Sequence, residues 1–393
     1  MTTVEVPNTP QKIFAAAKAV VPRLRAYSAE IEEHRGLPAE VVELLRGTGV
    51  FRMGFPKEFG GPGLTSAQQV EVIEVLSSGD TSAGWCAMIG MDAGLYALSD
   101  AAVREMFPAL DVIAAGMLPP MGRADRVPGG YRVSGRWSFA SGIAHADWVS
   151  AGAFVHADGE LERSASGKPY WRVMMVRPGE VELIDNWHAT GLAGSGSVDY
   201  TISDVFVPEE HTFSLGEPTR TGPLAAPDAL MRKMPAVALG VARAALDYAR
   251  DVVRGKENRM TGERWADDYR VQCAIAECEM DLAAVRRGVY RSLAYRWERM
   301  EAGATLDEFT PDERVETMLT RLAAMRQART VVRKLYDLLA TGSIYRSSPM
   351  DRWLRDLETM CQHVMAQDQI VQSAGAFLLG GTPRFPLALG IVN

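Results

Sequence analysis

The sequence predicts an α+β protein, mostly α-helical, in which a strand-rich middle domain separates an N-terminal helical domain from a C-terminal four-helix bundle. Three observations carry this prediction. Apolar residues recur at helical spacing up to about residue 110, short alternating or apolar runs fill about 112–215, and long apolar-striped segments follow from about 227. We place the domains at 1–111, 112–226 and 227–393. This order argues against a doubly wound nucleotide-binding fold.

The N-terminal domain contains helical segments with recognisable boundaries. The run AAAKAVVPRLRAYSAEIEEH has helical periodicity, although Pro22 is expected to kink or restart the helix. The segment TSAQQVEVIEVLSSGDTSAGWCAMIGM offers Thr65 or Ser66 as a helix cap and a break at Gly79. These signals predict separate helices before residue 111.

The middle and C-terminal domains differ in the length of their elements. Runs such as GYRVSGRWSFAS, DWVSAGAFV and DYTISDVFV are separated by turn residues, as in a sheet. After residue 227, long apolar-striped segments predict helices at about 228–255, 263–302, 311–341 and 348–379.

Composition excludes several classes of function. The chain has 393 residues, 47% of them hydrophobic, and a net charge of -7, which does not suit a nucleic-acid partner. No apolar run reaches the length of a membrane span, and the N-terminus lacks a signal pattern. The four cysteines have no CxxC spacing, which indicates buried thiols in a reducing cytoplasm, and the six histidines show no metal-ligand spacing. The glycine-dense loop GLAGSGS is neither a dinucleotide fingerprint nor a phosphate loop.

Three segments in order carry a family resemblance: FPKEFGGPGLT, then GRWSFASGIAHADW with GLAGSGSVDYTISDVFVPEEH, then SSPMDRWLRDLETMCQH. The chain resembles the acyl-CoA dehydrogenase fold, and more closely its oxygen-using branch, the oxygenase components of two-component flavin-dependent monooxygenases. The resemblance implies a flavin between the strand domain and the bundle, used as FADH2 or alternatively FMNH2, with O2 as co-substrate. It also implies a separate NAD(P)H-dependent flavin reductase, a homodimer or homotetramer, and a phenol- or indole-type substrate.

The positions that carry the catalytic base in the dehydrogenases are apolar in this chain. Proton abstraction beside a carbonyl needs a carboxylate in reach of that carbon. The resemblance puts Val364 at one base position, eight residues after Asp356, and Leu230 at the other. Neither can accept a proton, which argues against dehydrogenation. Three alternatives stay open on the same fold: N-hydroxylation of an amino sugar, a dehydrogenase or oxidase with a relocated base, and a non-enzymatic scaffold that keeps the fold without flavin.

The resemblance assigns flavin contacts to FASG and to the start of MLPPMGRAD. Phe139 and Ala140 would lie along the ring system, Ser141 beside the flavin N5 atom, and Met117 nearby. A serine hydroxyl can accept a hydrogen bond from N5–H and so preserve a flavin hydroperoxide against loss of hydrogen peroxide. The alternative is that Ser141 only begins a turn with Gly142.

His363, next to the former base position, is the second catalytic candidate. It could take a proton from substrate or donate a hydrogen bond to the hydroperoxide; the alternative is a helix histidine packed on a backbone carbonyl. Trp85 and His145 join Leu230 and Val364 as predicted pocket residues. For Trp85 the alternative is a plain core residue, and for His145 an exposed turn residue.

The nucleotide end of the flavin is assigned to two segments near the bundle. Arg259, in KENRMTG, matches the family's pyrophosphate-binding arginine, whose planar fork suits two phosphate oxygens; the alternative is a solvated surface arginine. The helix join LLATGSIY supplies Thr341, Gly342 and Ser343 as further expected contacts. Arg355 and Asp356 are expected to form a structural ion pair near the site.

Overall fold

The computed structural model describes residues 6–91, 97–164, 167–225, 229 and 231–391. The helices are α1 (Pro10–His34), α2 (Ala39–Thr48), α3 (Ser66–Gly79), α4 (Thr81–Ile89), α5 (Asp100–Met106), α6 (Pro235–Arg254), α7 (Tyr269–Glu301), α8 (Pro311–Leu339), α9 (Met350–Met360) and α10 (Asp368–Leu378). The strands are β1 (Ala114–Val127), β2 (Gly130–Trp137), β3 (Trp148–Ala157), β4 (Glu160–Leu161), β5 (Trp171–Val176), β6 (Glu182–Ile184), β7 (Asp199–Pro208) and β8 (Thr212–Phe213). The predicted fold class is confirmed.

The N-terminal helices begin and end close to their predicted boundaries. Thr65 caps α3 in a capping box with Gln68, and α3 ends at Gly79 as expected. The predicted restart at Pro22 does not occur, because α1 continues through it as one helix of 25 residues. Asp80 ends α3 and caps α4 by accepting a hydrogen bond from the backbone N–H of Ala83 at 2.9 Å.

The middle domain is a mixed sheet with strand order β6-β7-β2-β1-β3-β5-β8, and β4 pairs with β3 at one end. The pairing of β1 with β3 is parallel, whereas β1 with β2 and β2 with β7 are antiparallel. β1 is irregular between Met117 and Gly122, where its register with β3 shifts. The strand-to-strand connections after β2 and before β7 carry the FASG and GLAGSGS segments, so the sheet holds both at one end.

The C-terminal domain departs from the prediction in its last helix. The sequence predicts one helix over 348–379, but the chain is helical only in α9 and α10, with a 3₁₀ turn at Val364–Ala366 between them. His363 has extended backbone angles, φ -60° and ψ 143°, and caps this turn. The expected continuous helix is therefore wrong, and His363 lies in a helix break rather than on a helix face.

The N-terminal helices and the bundle share one hydrophobic core, which includes residues from α1 to α4 and from α6 to α10. A Cβ on Gly240 of α6 would lie 2.2 Å from the carbonyl oxygen of Glu74, so the two helix backbones approach closely there. The carboxylate of Glu74 accepts hydrogen bonds of 2.7 Å from Arg286 and from Tyr290 of α7. These contacts fix α3 and the adjoining α4 against the bundle. No helix in the described part of the chain is long and apolar enough to cross a membrane.

Candidate active site

Ser141 belongs to a chain of hydroxyl groups that joins the FASG segment to the GLAGSGS loop. Its Oγ lies 2.7 Å from Oγ of Ser197, which in turn lies 2.7 Å from Oγ of Ser195. The Ser195 hydroxyl donates to the carbonyl oxygen of Leu192 at 2.6 Å. At the other end, the indole N–H of Trp85 donates to Ser141 Oγ at 2.9 Å. All three serines are buried.

The two ends fix the direction of every hydrogen bond in this chain. A carbonyl oxygen only accepts, so the single hydrogen of Ser195 is committed to Leu192. Ser197 must then donate to Ser195, and Ser141 must donate to Ser197. Because the Trp85 N–H only donates, it uses one of the two lone pairs of Ser141. Among the residues that the structure describes, the Ser141 oxygen is left with one free lone pair and no free hydrogen.

Trp85 connects Ser141 to the second catalytic candidate. Its ring is buried on α4 and meets the imidazole of His363 edge to face, with 5.7 Å between ring centroids and an interplanar angle of 70°. The structure thus brings Ser141, Trp85 and His363 together, as the resemblance implies. Val364 is half-buried beside His363 and packs on the hydrophobic core. Leu230, the other predicted pocket residue without a carboxylate, lies outside the described residues.

The hydrogen bonds of His363 determine which ring nitrogen carries the proton. The backbone N–H of Met365 donates to Nδ1 at 3.2 Å, so Nδ1 acts as an acceptor and the neutral ring carries its hydrogen on Nε2. Burial lowers the pKa of His363 from 6.5 to about 4, because the charged form loses hydration. His363 is therefore neutral near pH 7 and presents an Nε2–H donor.

His145 lies behind the Ser141 turn. A Cβ on Gly142 would lie 3.0 Å from the Nε2 atom of His145 and 3.6 Å from Sγ of Cys86. This Nε2 atom is buried and has no hydrogen-bond partner among the described residues, which does not fit an exposed turn residue. Burial, and secondarily the charge of Arg46, lower the pKa of His145 to about 4. Its contact with substrate stays a prediction.

The residues around the turn offer a surface for a flat ring. Phe139 has φ +65° and is 65% exposed, and its ring meets the ring of Trp187 edge to face at 6.4 Å. Ala140 is fully buried and its backbone N–H donates to the carbonyl oxygen of Val198 at 3.0 Å. The backbone N–H of Met117 donates to the Tyr200 hydroxyl at 3.1 Å, which fixes β1 beside this turn.

The predicted nucleotide contacts lie around a basic cluster. Burial and the nearby charge of Arg259 lower the pKa of Lys256, whose ammonium stacks on the Trp265 ring 3.6 Å from its centroid. A Cβ on Gly342 would lie 3.9 Å from Nζ of Lys256. Arg259 is exposed, as is Thr341.

Ser343 departs from the expectation. Its side chain is fully buried and donates to the carbonyl oxygen of Tyr336 at 2.8 Å. The hydroxyl is therefore committed inside the chain, which favours a structural role over nucleotide contact.

The expected ion pair between Arg355 and Asp356 is wrong. Arg355 instead pairs with Glu32 at 2.6 Å and with Asp351 at 2.7 Å. Asp356 is buried, and its carboxylate accepts a hydrogen bond of 2.7 Å from the backbone N–H of Leu192. Asp356 thus holds the residue on which the hydroxyl chain ends.

Sequence reasoning missed Ser195 and Ser197, and it missed Lys256. The two serines stand in the GLAGSGS loop, which the sequence marks only as neither a dinucleotide fingerprint nor a phosphate loop. Their spacing would indicate a contact with Ser141 only if the 192–198 loop were already known to lie against FASG.

The expected burial of the cysteines holds for Cys86, Cys278 and Cys361, whereas Cys273 is partly exposed. Within the described ranges, no group of three or more His, Cys, Asp or Glu side chains could hold a metal ion.

Comparisons with known proteins agree with this arrangement. Residues 12–107 match the acyl-CoA dehydrogenase N-terminal domain, and residues 234–368 match the acyl-CoA dehydrogenase C-terminal domain. The chain is 31% identical over 367 residues to indole-3-acetate monooxygenase from Pseudomonas putida, covering 92% of each protein. It is 28% identical over 400 residues to the oxygenase component of FADH2-dependent resorcinol hydroxylase from a Rhizobium species, covering 95% of each.

The fold is shared with XiaF from a Streptomyces species, solved with FADH2 and glycerol, at a TM-score of 0.86 and 22% identity, over 95% of this chain and 96% of that one. The chain therefore belongs to the acyl-CoA dehydrogenase family, within its branch of flavin-dependent monooxygenase oxygenase components.

Proposed function

We propose that this protein is the oxygenase component of a two-component monooxygenase that hydroxylates an aromatic or heteroaromatic small molecule, of phenol or indole type, with reduced flavin and O2. The observation that carries the proposal is the state of Ser141: a buried hydroxyl with one free lone pair, next to Trp85 and His363. The hydrogen-bond partners of these three side chains in the described part of the chain include no carboxylate that could serve as a dehydrogenase base.

The residues present fit a flavin. The exposed Phe139 ring offers an apolar face to a flat ring system, Ala140 packs behind it, and the free lone pair of Ser141 suits the N5–H of a reduced flavin. Met117 is the neighbouring β1 contact. Lys256 and Arg259, with Thr341 and Gly342, would hold the phosphates, which favours FADH2 and leaves FMNH2 as the alternative. When bound, the reduced flavin supplies the activation of O2 and the oxygen atom that is transferred.

His363 acts as a hydrogen-bond donor in this proposal. Its Nδ1 accepts from Met365 and its Nε2 carries the hydrogen, so the ring can orient an oxygen atom at Nε2 but cannot take a proton near pH 7. Of the two roles that the sequence leaves open, the geometry favours donation over proton acceptance. A proton released by the substrate would then pass to water.

The pocket walls favour an apolar, flat substrate. Trp85 presents an indole ring, Val364 an aliphatic side chain, and His363 a neutral imidazole. Two relatives are named for indole-3-acetate and resorcinol, both of which are aromatic. His145 and Leu230 are proposed as further pocket residues.

Reduced flavin must come from another protein. The resorcinol hydroxylase relative from Rhizobium is named as an oxygenase component. For this chain we propose a separate NAD(P)H-dependent flavin reductase that supplies the reduced flavin. We also propose a homodimer or homotetramer, in which the exposed Phe139 and the basic cluster are completed by a second copy. A cytoplasmic location fits the free thiols of this chain.

The experiment compares Ser141→Ala with Ser292→Ala, which removes a buried hydroxyl of α7 away from the site. Each protein is mixed with reduced FAD, O2 and a panel of phenols, indoles and amino sugars. Hydroxylated product and hydrogen peroxide are then measured. Wild type and Ser292→Ala should yield mainly aromatic product, while Ser141→Ala should release mainly peroxide. Equal peroxide from all three would refute the role of Ser141, and product from amino sugars alone would refute the substrate class.

A further inference from the structure

The direction of the hydroxyl chain has a consequence for the redox state of the bound flavin, and it rests on the function proposed above. Oxidised flavin has an N5 atom that only accepts hydrogen bonds, whereas reduced flavin has an N5–H that donates. Ser141 offers a lone pair and no hydrogen, because its hydrogen is committed to Ser197. A fixed acceptor attracts the reduced form and repels the lone pair of the oxidised form.

We infer that Ser197 and Ser195 are positioning residues that hold Ser141 as an acceptor, so that the site selects reduced over oxidised flavin. Neither serine needs to touch the flavin to do this. Ser195 anchors the direction by donating to Leu192, and Ser197 transmits it to Ser141. Leu192 is itself held by the Asp356 carboxylate, which accepts a hydrogen bond of 2.7 Å from its backbone N–H.

Removal of either positioning hydroxyl releases the hydrogen of Ser141. In Ser197→Ala, Ser141 loses its acceptor and can turn its hydrogen toward the flavin. In Ser195→Ala, the hydroxyl of Ser197 loses its acceptor and can donate to Ser141, which again frees the Ser141 hydrogen. The backbone of the loop is preserved in Ser195→Ala, because the Gly142 N–H bonds to the carbonyl oxygen of residue 195 at 2.8 Å.

The test is a binding measurement on the full chain. Flavin-free protein is titrated with oxidised FAD in air and with reduced FAD under anaerobic conditions. The ratio of the two dissociation constants, oxidised over reduced, is then compared among variants. The hydrogen bond that the freed Ser141 hydrogen can donate to N5 of the oxidised form should tighten the binding of that form and lower this ratio about tenfold in Ser197→Ala and in Ser195→Ala, while the reduced form keeps its hydrogen bond to the Ser141 oxygen. For a two-electron couple this equals a shift of about 30 mV in the potential of the bound flavin.

Two variants serve as controls. Ser197→Thr keeps a hydroxyl and should retain the wild-type ratio, and Ser292→Ala removes a buried hydroxyl elsewhere and should also retain it. A purely structural role for the two serines would weaken both redox forms equally and leave the ratio unchanged. If Ser197→Ala is too unstable to titrate, Ser195→Ala alone decides.

The outcomes separate this inference from the proposed function. A wild-type protein that binds reduced FAD and forms product, with an unchanged ratio in both alanine variants, overturns the inference alone. A wild-type protein that binds neither form of flavin overturns the proposed function and the inference with it.

Discussion

The neutral state of His363 predicts a specific dependence of folding stability on pH. Burial lowers the pKa of His363 from 6.5 to about 4, so the unfolded chain takes up a proton on this ring as the pH falls below 6.5, while the folded chain does so only near pH 4. The free energy of unfolding therefore decreases between these two values as the pH falls. His363→Gln removes the titration and keeps a side chain that can both accept and donate.

The magnitude follows from the two pKa values. At pH 5 the unfolded ring is almost fully protonated and the folded ring is mostly neutral, which costs the wild type about 2 kcal/mol relative to pH 8. Urea unfolding of both proteins at pH 8 and pH 5 measures this difference. The loss of stability between the two pH values should be about 2 kcal/mol smaller in His363→Gln.

The comparison must be made between variant and wild type at each pH, because other buried groups titrate in the same range. His34→Gln is the matched control, since it removes an exposed imidazole near the end of α1 and so measures the effect of losing a histidine outside the site. An unchanged pH dependence in His363→Gln would refute the lowered pKa of His363.

Three further predictions concern the elements around the site. Burial raises the pKa of Asp356 to about 6, so its stabilising contribution is present below the unfolded pKa of 3.8 and is lost as the pH rises through 6. Asp356→Asn keeps an acceptor for the Leu192 N–H and should remove this loss of stability, which is at most about 3 kcal/mol. Urea unfolding of both proteins at pH 4 and pH 7 measures the difference. Gly191→Ala would place a Cβ 2.0 Å from the carbonyl oxygen of Arg355 and should destabilise the fold by about 1–3 kcal/mol in thermal or urea unfolding. Arg259→Ala should weaken the binding of FAD more than that of FMN, which lacks the pyrophosphate, with little change in Tm; equal weakening of both would contradict the pyrophosphate contact.

Matched variants separate these effects from general damage. Gly179→Ala adds a methyl group where nothing lies within 4 Å, so its Tm should stay near that of wild type. Arg254→Ala removes another exposed arginine near the end of α6 and should leave FAD affinity unchanged. If Asp356→Asn retained the full pH-dependent loss, the raised pKa would belong to another buried group, of which Asp80 is the nearest candidate.

Periodicity and capping residues predicted most helices, but they could not predict the break between α9 and α10. The segment CQHVMAQ contains no glycine or proline to signal an interruption. Side chains distant in sequence or outside the periodic pattern bind the backbone groups released there: Arg326 donates to the carbonyl oxygen of Ala366 at 2.9 Å, and Gln367 donates to that of Cys361 at 2.5 Å. Tertiary contacts of this kind override local helix propensity.

In the candidate site, too, local sequence signals could be predicted and tertiary contacts could not. The match of FASG to a flavin-contacting strand proposed Ser141, and the match of the Arg-Asp segment proposed His363, because each depends on a short stretch of chain. Ser197 lies 56 residues from Ser141 along the sequence, and their contact depends on the sheet bringing two loops to one end. The tautomer of His363 likewise depends on the helix break, which the sequence does not reveal.

Burial keeps the titratable side chains around Ser141 neutral, and this constrains the proposed reaction. Burial lowers the pKa values of His145 and His363 and raises the pKa of the Cys86 thiol. The chain then offers one fixed acceptor at Ser141 and one fixed donor at His363, with no ionisable group that changes state between pH 6 and pH 8 among these side chains. The efficiency with which oxygen is transferred rather than lost as peroxide should therefore be flat across this range for a substrate that does not itself titrate. A step in that efficiency near pH 7 would mean that a histidine of this pocket exchanges protons after all.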